Sequence, residues 1–289
     1  MPQTEPRVAF RDMTEADLAD GLRLSRASGW NQTLEDWRLL LGSGPFRVAT
    51  LDGRVVASGG AVVYGEALAW ICMILVDPEA RGQGLGTRIF DEVASRCASD
   101  REAGRLRSVG LDATPAGRGI YRRHGYLDAA GLVRMRLESE RPGGPRQRAR
   151  PMIGADIDVV LARDRQVFGA DRGFLLRWAL ERAPELAFVA VASGRVAGYC
   201  FGRHGDHSAH VGPLVAEDRE TALDLVRACV ANRRRRPLIV DARDEPLWLE
   251  ALGALGLRVT RSFTRMYLGE TMPHGQPELE PLVCGPEFG

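Results

Sequence analysis

The sequence predicts an α/β protein in which one plan of helices and strands occurs twice. Three observations carry this. At 289 residues the chain has the length of about two domains. Each half runs as two helices, a strand meander, then helix, strand, helix, strand. Between the halves, Glu138 to Pro151 (ESERPGGPRQRARP) is dense in Pro, Gly and Arg and nearly free of apolar residues, the composition of a linker. The chain thus divides into domains at residues 1–138 and 151–289, joined by a linker at 139–150.

In the first half, Val8–Arg11 reads as a strand, and Thr14 with Glu15-Ala16-Asp17 opens a helix reaching Ala27. Leu34–Leu41 is a second helix. Arg47–Leu51 and Arg54–Tyr64 are strands around the Asp52-Gly53 turn. Leu68–Val76 is nearly all apolar, as a strand buried on both faces must be. A helix at Gly84–Ser99, a strand at Arg107–Leu111, a helix at Ala116–His124 and a strand pair from Tyr126 to Leu137 complete it.

The second half follows the same order. Asp156–Val167 and Phe174–Arg182 are helices; Ala187–Ala192 and Arg195–Arg203 are strands around Ser193-Gly194. Strand His210–Val215, helix Asp218–Asn232, strand Leu238–Asp241, helix Leu247–Leu255 and strand Arg258–Tyr267 follow.

A net charge of +1, from 39 basic and 38 acidic residues, gives no overall field to recruit nucleic acid or an anionic membrane. All the basic residues are Arg, so no lysine Schiff base or P-loop lysine is available. The five Cys are far apart without CxxC spacing, which reads as reduced thiols in a cytoplasmic protein and not as a zinc site. The longest apolar stretch, Ala67–Val76, is about half a membrane span.

The chemistry concentrates after the buried strand, in Val76-Asp77-Pro78-Glu79-Ala80-Arg81-Gly82-Gln83-Gly84-Leu85-Gly86-Thr87. Alternating glycines at a strand-to-helix junction free backbone N–H groups, with the positive end of a helix dipole behind them. Arg81 adds a guanidinium suited to phosphate oxygens. The chain has no Lys for a Walker loop, and no strand precedes a dinucleotide-type GxGxxG.

This R-x-x-G-x-G loop after a V-D-P strand end resembles the pyrophosphate loop of the GNAT superfamily of N-acetyltransferases. Ile120-Tyr121-Arg122-Arg123-His124-Gly125-Tyr126 is similar to the family's "LYxxxGF" segment. The resemblance implies tandem GNAT folds, each a mostly antiparallel mixed sheet flanked by helices, and acetyl-CoA as co-substrate without a metal. It implies that Ile74, Leu75 and Val76 meet the acetyl and pantetheine arm, and that Arg81, Gly82, Gln83, Gly84, Leu85, Gly86 and Thr87 hold the pyrophosphate. Tyr121 would protonate the departing thiolate. Thr114 stands where relatives often carry Asn, and its hydroxyl still offers a hydrogen bond to the CoA arm. No carboxylate occupies the positions Trp70, Cys72 and Ile74, read as one face of the buried strand. Asp112 is therefore the nearest candidate base; the other reading of it is a turn or cap before Thr114-Pro115.

At the matching junction the second half reads Val211-Gly212-Pro213-Leu214-Val215-Ala216-Glu217-Asp218, without the glycines and with acids at the helix start. Leu252 takes the place of the tyrosine. This half reads as non-catalytic. Phe168–Arg172, Gly212–Ala216, Phe263–Tyr267 and Gly285–Gly289 resemble the C-terminal domain of a bacterial two-domain GNAT group. On that basis it would wall the acceptor site, its Pro-rich tail folding back over it. Deleting 151–289 would then abolish turnover and spare acetyl-CoA binding.

His204-Gly205-Asp206-His207-Ser208-Ala209-His210 reads as a polar hairpin loop before a metal or acceptor site. Arg233–Arg236 reads as a solvated helix end before a nucleic-acid patch. Trp30 and Trp37 fit either an acceptor channel or the core.

The leading expectation is an N-acetyltransferase acting on a primary amine of a small molecule or peptide by direct attack, as a monomer or homodimer, with neither nucleic acid nor membrane as partner. The alternatives are a non-catalytic acyl-CoA sensor and a double-GNAT transferase moving a larger acyl or aminoacyl group.

Overall fold

The computed structural model describes residues 8–138, 148–233, 236–269 and 275–289. Its compact units are Met1–Leu111 and Asp112–Gly289.

In the first unit the strands β1 (Val8–Asp12), β2 (Phe46–Leu51), β3 (Arg54–Tyr64), β4 (Leu68–Val76) and β5 (Ser108–Ala113) form a sheet in chain order. Its hairpin pairs are antiparallel, and β4 and β5 run parallel. Its helices are α1 (Leu18–Ala27), α2 (Leu34–Gly42) and α3 (Leu85–Glu102). The entry to α1 is fixed by Asp17, which accepts from the Thr14 backbone N–H at 2.8 Å and is forked by Arg11 at 2.7 and 2.7 Å. α2 starts with a reciprocal capping box, Thr33 N–H to Asp36 at 2.6 Å and Asp36 N–H to Thr33 Oγ1 at 3.2 Å. On one face of the sheet, α3 packs through Leu85 and Ile89 against Ala49, Val56 and Ala57.

In the second unit α4 (Pro115–Arg123) leads into β6 (Tyr126–Leu137). Then come β7 (Ala149–Pro151), α5 (Ile157–Phe168), α6 (Gly173–Arg182), β8 (Phe188–Ala192), β9 (Arg195–His204), β10 (Ala209–Ala216) and α7 (Arg219–Asn232). β11 (Leu238–Arg243), α8 (Pro246–Ala254), β12 (Arg258–Leu268) and β13 (Leu282–Val283) end the chain.

Tyr126–Leu137 is thus one strand and not the expected pair. It is long because it has antiparallel partners on both edges, β11 on one and β12 on the other, so nothing asks it to turn at Gly131. Beyond β11 the order is β13, β10, β9, β8, β7, and β10 also pairs directly with β11. The Pro- and Arg-rich stretch is structured at its end, where Ala149–Pro151 pairs with β8; residues 139–147 of it lie outside the described residues.

The entry to α5 repeats that to α1. Arg150 forks onto Asp156 at 2.7 and 2.7 Å, and Asp156 accepts from the Ile153 N–H at 2.9 Å. Leu252, at the tyrosine's place, is a core residue with no exposure. Cys200 and Cys229, 29 positions apart, bring their Sγ atoms to 3.4 Å. Arg233 is buried, so it is not the solvated helix end expected; it binds the Val230 and Arg236 carbonyls at 2.7 and 2.9 Å. Arg234 and Arg235 lie outside the described residues.

Candidate functional site

β4 carries a bulge. Cys72 pairs with Gly60 and Leu75 with Ser58, so three steps on β4 meet two on β3. Met73 at this point has φ 56°, uncommon for a residue with a Cβ. Its carbonyl accepts from Ser58 Oγ at 3.1 Å inside the core. The bulge corrects the period-two reading of the strand. Leu75 takes the face of Cys72, while Ile74 and Val76 pack on the α3 side with Ile89. Parallel pairing between β4 and β5 stops at Trp70–Gly110, and β4 continues to Val76. Ile74 to Val76 therefore stand on a strand that has parted from its parallel neighbour.

Asp77 ends the strand firmly. It accepts from the Glu79 N–H at 3.2 Å and pairs with Arg23 at 2.5 Å and Arg54 at 3.0 Å. These guanidiniums lower its pKa against the cost of burial. The chain then turns through Arg81, Gly82, Gln83 and Gly84, all exposed. Gly82 and Gly84 have φ 80° and 75°, the left-handed region a Cβ disfavours. The first hydrogen bond of α3 runs from Arg88 N–H to the Gly84 carbonyl at 3.0 Å. The N–H groups of Leu85, Gly86 and Thr87 hence have no intrahelical acceptor and face the positive end of an 18-residue helix. A Cβ on Gly86 would come within 3.1 Å of Val76, so the helix start sits hard against the strand end. This cradle fits a diphosphate: it has backbone donors and open space over Gly82 and Gly84, and Arg81 at its start donates through Nε to the Val76 carbonyl at 3.3 Å.

In the second unit α4 starts at Thr114, whose Oγ1 accepts from the Gly117 N–H at 3.3 Å. Tyr121 lies over Gly117 on the same helix and meets Tyr126 edge-on, ring centroids 6.5 Å apart. Burial pushes its phenol up to about 12. Asp112 has both carboxylate oxygens engaged by Arg265, Nε to Oδ1 and Nη2 to Oδ2, each at 2.9 Å. Burial raises its carboxyl against the pull of that guanidinium. Trp37 is a core residue donating to Ser25 at 3.0 Å, whereas Trp30 is half-buried.

The second unit repeats the bulge and closes the gap beside it. On β10, Val211 pairs with Gly202 and Leu214 with Cys200, again three steps against two. Parallel pairing of β10 with β11 runs from Ala209–Leu238 to Val211–Val240. Where the strands then part, β13 lies between them: Leu282 pairs with Leu214 and Ala242, and Val283 with Asp241. A Cβ on Gly212 would sit 2.0 Å from the Val283 carbonyl. The tail is locked in place by Phe288, fully buried, and by an ion pair between Glu287 and Arg203. α7 starts without a glycine cradle, its first turn capped by Asp218 accepting from the Thr221 N–H at 2.7 Å. The His-rich loop is likewise absorbed. His210 is buried 3.0 Å from Asp241 and bonded to Arg203, and His204 pairs with Glu185 at 3.0 Å.

Sequence models described as "Acetyltransferase (GNAT) domain" match residues 42–127 and residues 160–279, so the family signature is present in both halves. The chain is a tandem GNAT protein. It is 26% identical over 251 residues to the holothin acyltransferase of Pseudoalteromonas sp. (strain SANK 73390), covering 84% of this chain and 81% of that one. Among solved structures it resembles a putative acetyltransferase from Pyrococcus horikoshii (21% identity, TM-score 0.77, 98% and 96% of the two chains). It also resembles a tandem GNAT protein from the clavulanic acid biosynthesis pathway (15% identity, TM-score 0.58, 90% and 98%). GNAT membership makes this an acyltransferase-family fold. Among the described residues, no helix is long and apolar enough to cross a membrane.

Sequence reasoning missed three site features. Met73 and its bulge sit inside an unbroken apolar run and leave no local mark. Ser58, which holds the Met73 carbonyl, looks like any small strand residue. The insertion of β13 depends on a pairing far from its neighbours in sequence.

Proposed function

We propose that this GNAT protein transfers an acetyl group from acetyl-CoA to a primary amine of a small molecule or peptide, using the donor loop of its first domain alone. The observation that carries the reading is the contrast between the two strand-to-helix junctions. One offers left-handed glycines and unbonded N–H groups at α3; the other has β13 between its strands and a helix start capped by Asp218.

In this reading Arg81 and the N–H groups of Leu85, Gly86 and Thr87 bind the diphosphate. Ile74 to Val76 offer backbone groups to the extended arm, and Thr114 an additional hydroxyl. When bound, acetyl-CoA supplies an activated thioester. As the amine nitrogen bonds to the carbonyl carbon and the C–S bond breaks, Tyr121 gives its phenolic proton to the sulfur. The amine's surplus proton leaves to water, and we assign Asp112 a positioning role instead of that of base, because Arg265 engages both its oxygens. Five buried cysteines, none of them in a disulfide, suit a reducing cytoplasm.

The test is thiol release from acetyl-CoA across an amine panel, with Tyr121→Phe beside the parent. The reading predicts turnover for some amine and a fall of about 10²–10⁴-fold in kcat for the variant, at unchanged acetyl-CoA affinity. Tight CoA binding without release for any amine would establish the sensor instead. The Pseudoalteromonas relative, a holothin acyltransferase, supports a second reading with a longer acyl donor. A series of donors of rising chain length separates it, since an acetyl-specific enzyme loses rate at the first added carbons.

A further inference from the structure

The second domain holds a cavity of about 330 Å³. None of its lining residues belongs to the donor loop, and Tyr121 is not among them. The volume falls in the range of pockets that take one small organic molecule. Its apolar wall includes Phe168, Val167 and Pro277, and the small side chains of Ala129 and Ala130 also line it.

The polar groups of the wall are not equally satisfied. Arg265 is forked onto Asp112, and Glu280 accepts from the buried Arg172 at 2.7 Å. Arg243 is held less well. Its Nε donates to the Glu280 carbonyl at 2.8 Å, but Nη2 reaches Glu280 Oε2 only at 3.5 Å. Its Nη1 makes no hydrogen bond among the described residues. The Arg243 side chain is 19% exposed, against 5% for Arg265 and 3% for Glu280. Burial pushes its guanidinium below the usual range, as desolvation does to a cation short of counter-charge. The accessible, under-neutralised group in this apolar chamber is therefore a planar cation that matches a carboxylate. An ammonium ligand would meet Arg243 first and be repelled.

We propose that this cavity binds a small organic monocarboxylate with an aromatic or apolar body, the carboxylate on Arg243 and the body against Phe168 and Pro277.

The test is calorimetric titration of the full chain with phenylacetate, using phenylacetamide and phenethylamine as neutral and cationic matches. The expected result is saturable binding of phenylacetate, at least tenfold weaker binding of the amide, and none of the amine. Arg243→Gln lowers phenylacetate affinity at least tenfold. Ala130→Leu, which fills the chamber from the strand position paired with Arg265, does the same. Both variants keep the parent's cooperative thermal unfolding and CoA affinity. The proposal is overturned if phenylacetate fails to bind at millimolar concentration, if the amide or amine binds as well, if Arg243→Gln binds like the parent, or if CoA displaces phenylacetate.

Discussion

Arg265 closes both edges of the Asp112 carboxylate, at 2.9 and 2.9 Å, with the two side chains 5% and 0% exposed. A carboxylate so held is poorly placed to take a proton from an amine, yet costly to disturb. Removing either partner leaves a buried charge unpaired, so Asp112→Asn and Arg265→Gln should each lose about 3–5 kcal/mol in denaturant unfolding. The double variant should lose less than the sum. If Asp112 were instead the base, Asp112→Asn would in addition abolish kcat and flatten the acidic limb of the pH–rate profile.

Gly84 caps α3 at φ 75° and stands beside the N–H groups that would bind the diphosphate. Gly84→Ala strains the loop by about 1–2 kcal/mol and places a methyl at the cradle. Acetyl-CoA affinity should fall at least tenfold with only a modest drop in melting temperature. The second domain has no such cradle, and β13 occupies the gap between its β10 and β11. Titration of the parent should therefore give one CoA per chain. A stoichiometry near two would mean that the tail leaves its slot.

Acid should weaken the fold through Asp17. The Arg11 guanidinium beside it, with the Thr14 donors, holds its carboxyl at about 2. The unfolded value is near 4. A depressed folded value gives stability that is complete above the unfolded value and lost as pH falls from about 4 towards 2. Since the Arg11 side chain is 44% exposed, the share at stake is about 1–2 kcal/mol after screening. Asp17→Asn should lose that amount at pH 7 and little at pH 2, measured by urea unfolding across the range.

The order of elements was legible because strand and helix periods, turn dipeptides and the glycine loop are local signals. So was the duplication, and more strongly than element order alone showed. Arg11-Asp12-Met13-Thr14-Glu15-Ala16-Asp17 and Arg150-Pro151-Met152-Ile153-Gly154-Ala155-Asp156 share R-x-M-x-x-A-D, and both build the same fork of Arg onto a helix-entry Asp. Placing Arg150 in a linker hid that match. The bulge at Met73 and the insertion of β13 were not legible, since each depends on which strand comes to lie alongside, and composition does not record that. The Arg265 partner of Asp112 lies 153 residues away, beyond any local pattern.

The placement of β6 decides what a deletion can report. The sequence suggests cutting at residue 151 to ask whether the second domain serves the acceptor. In the second unit, however, β6 is hydrogen-bonded along one edge to β11 and along the other to β12. A chain ending at 150 strips both partners from Tyr126–Leu137 and exposes Leu132, Val133, Met135 and Leu137, each at most 6% exposed in the fold. A long apolar strand with two open edges is an aggregation template. The truncated chain should therefore be insoluble or lack a cooperative transition by circular dichroism, and its loss of turnover would say nothing about acceptor choice. If residues 1–150 instead unfold cooperatively and bind CoA as the full chain does, β6 does not need its partners.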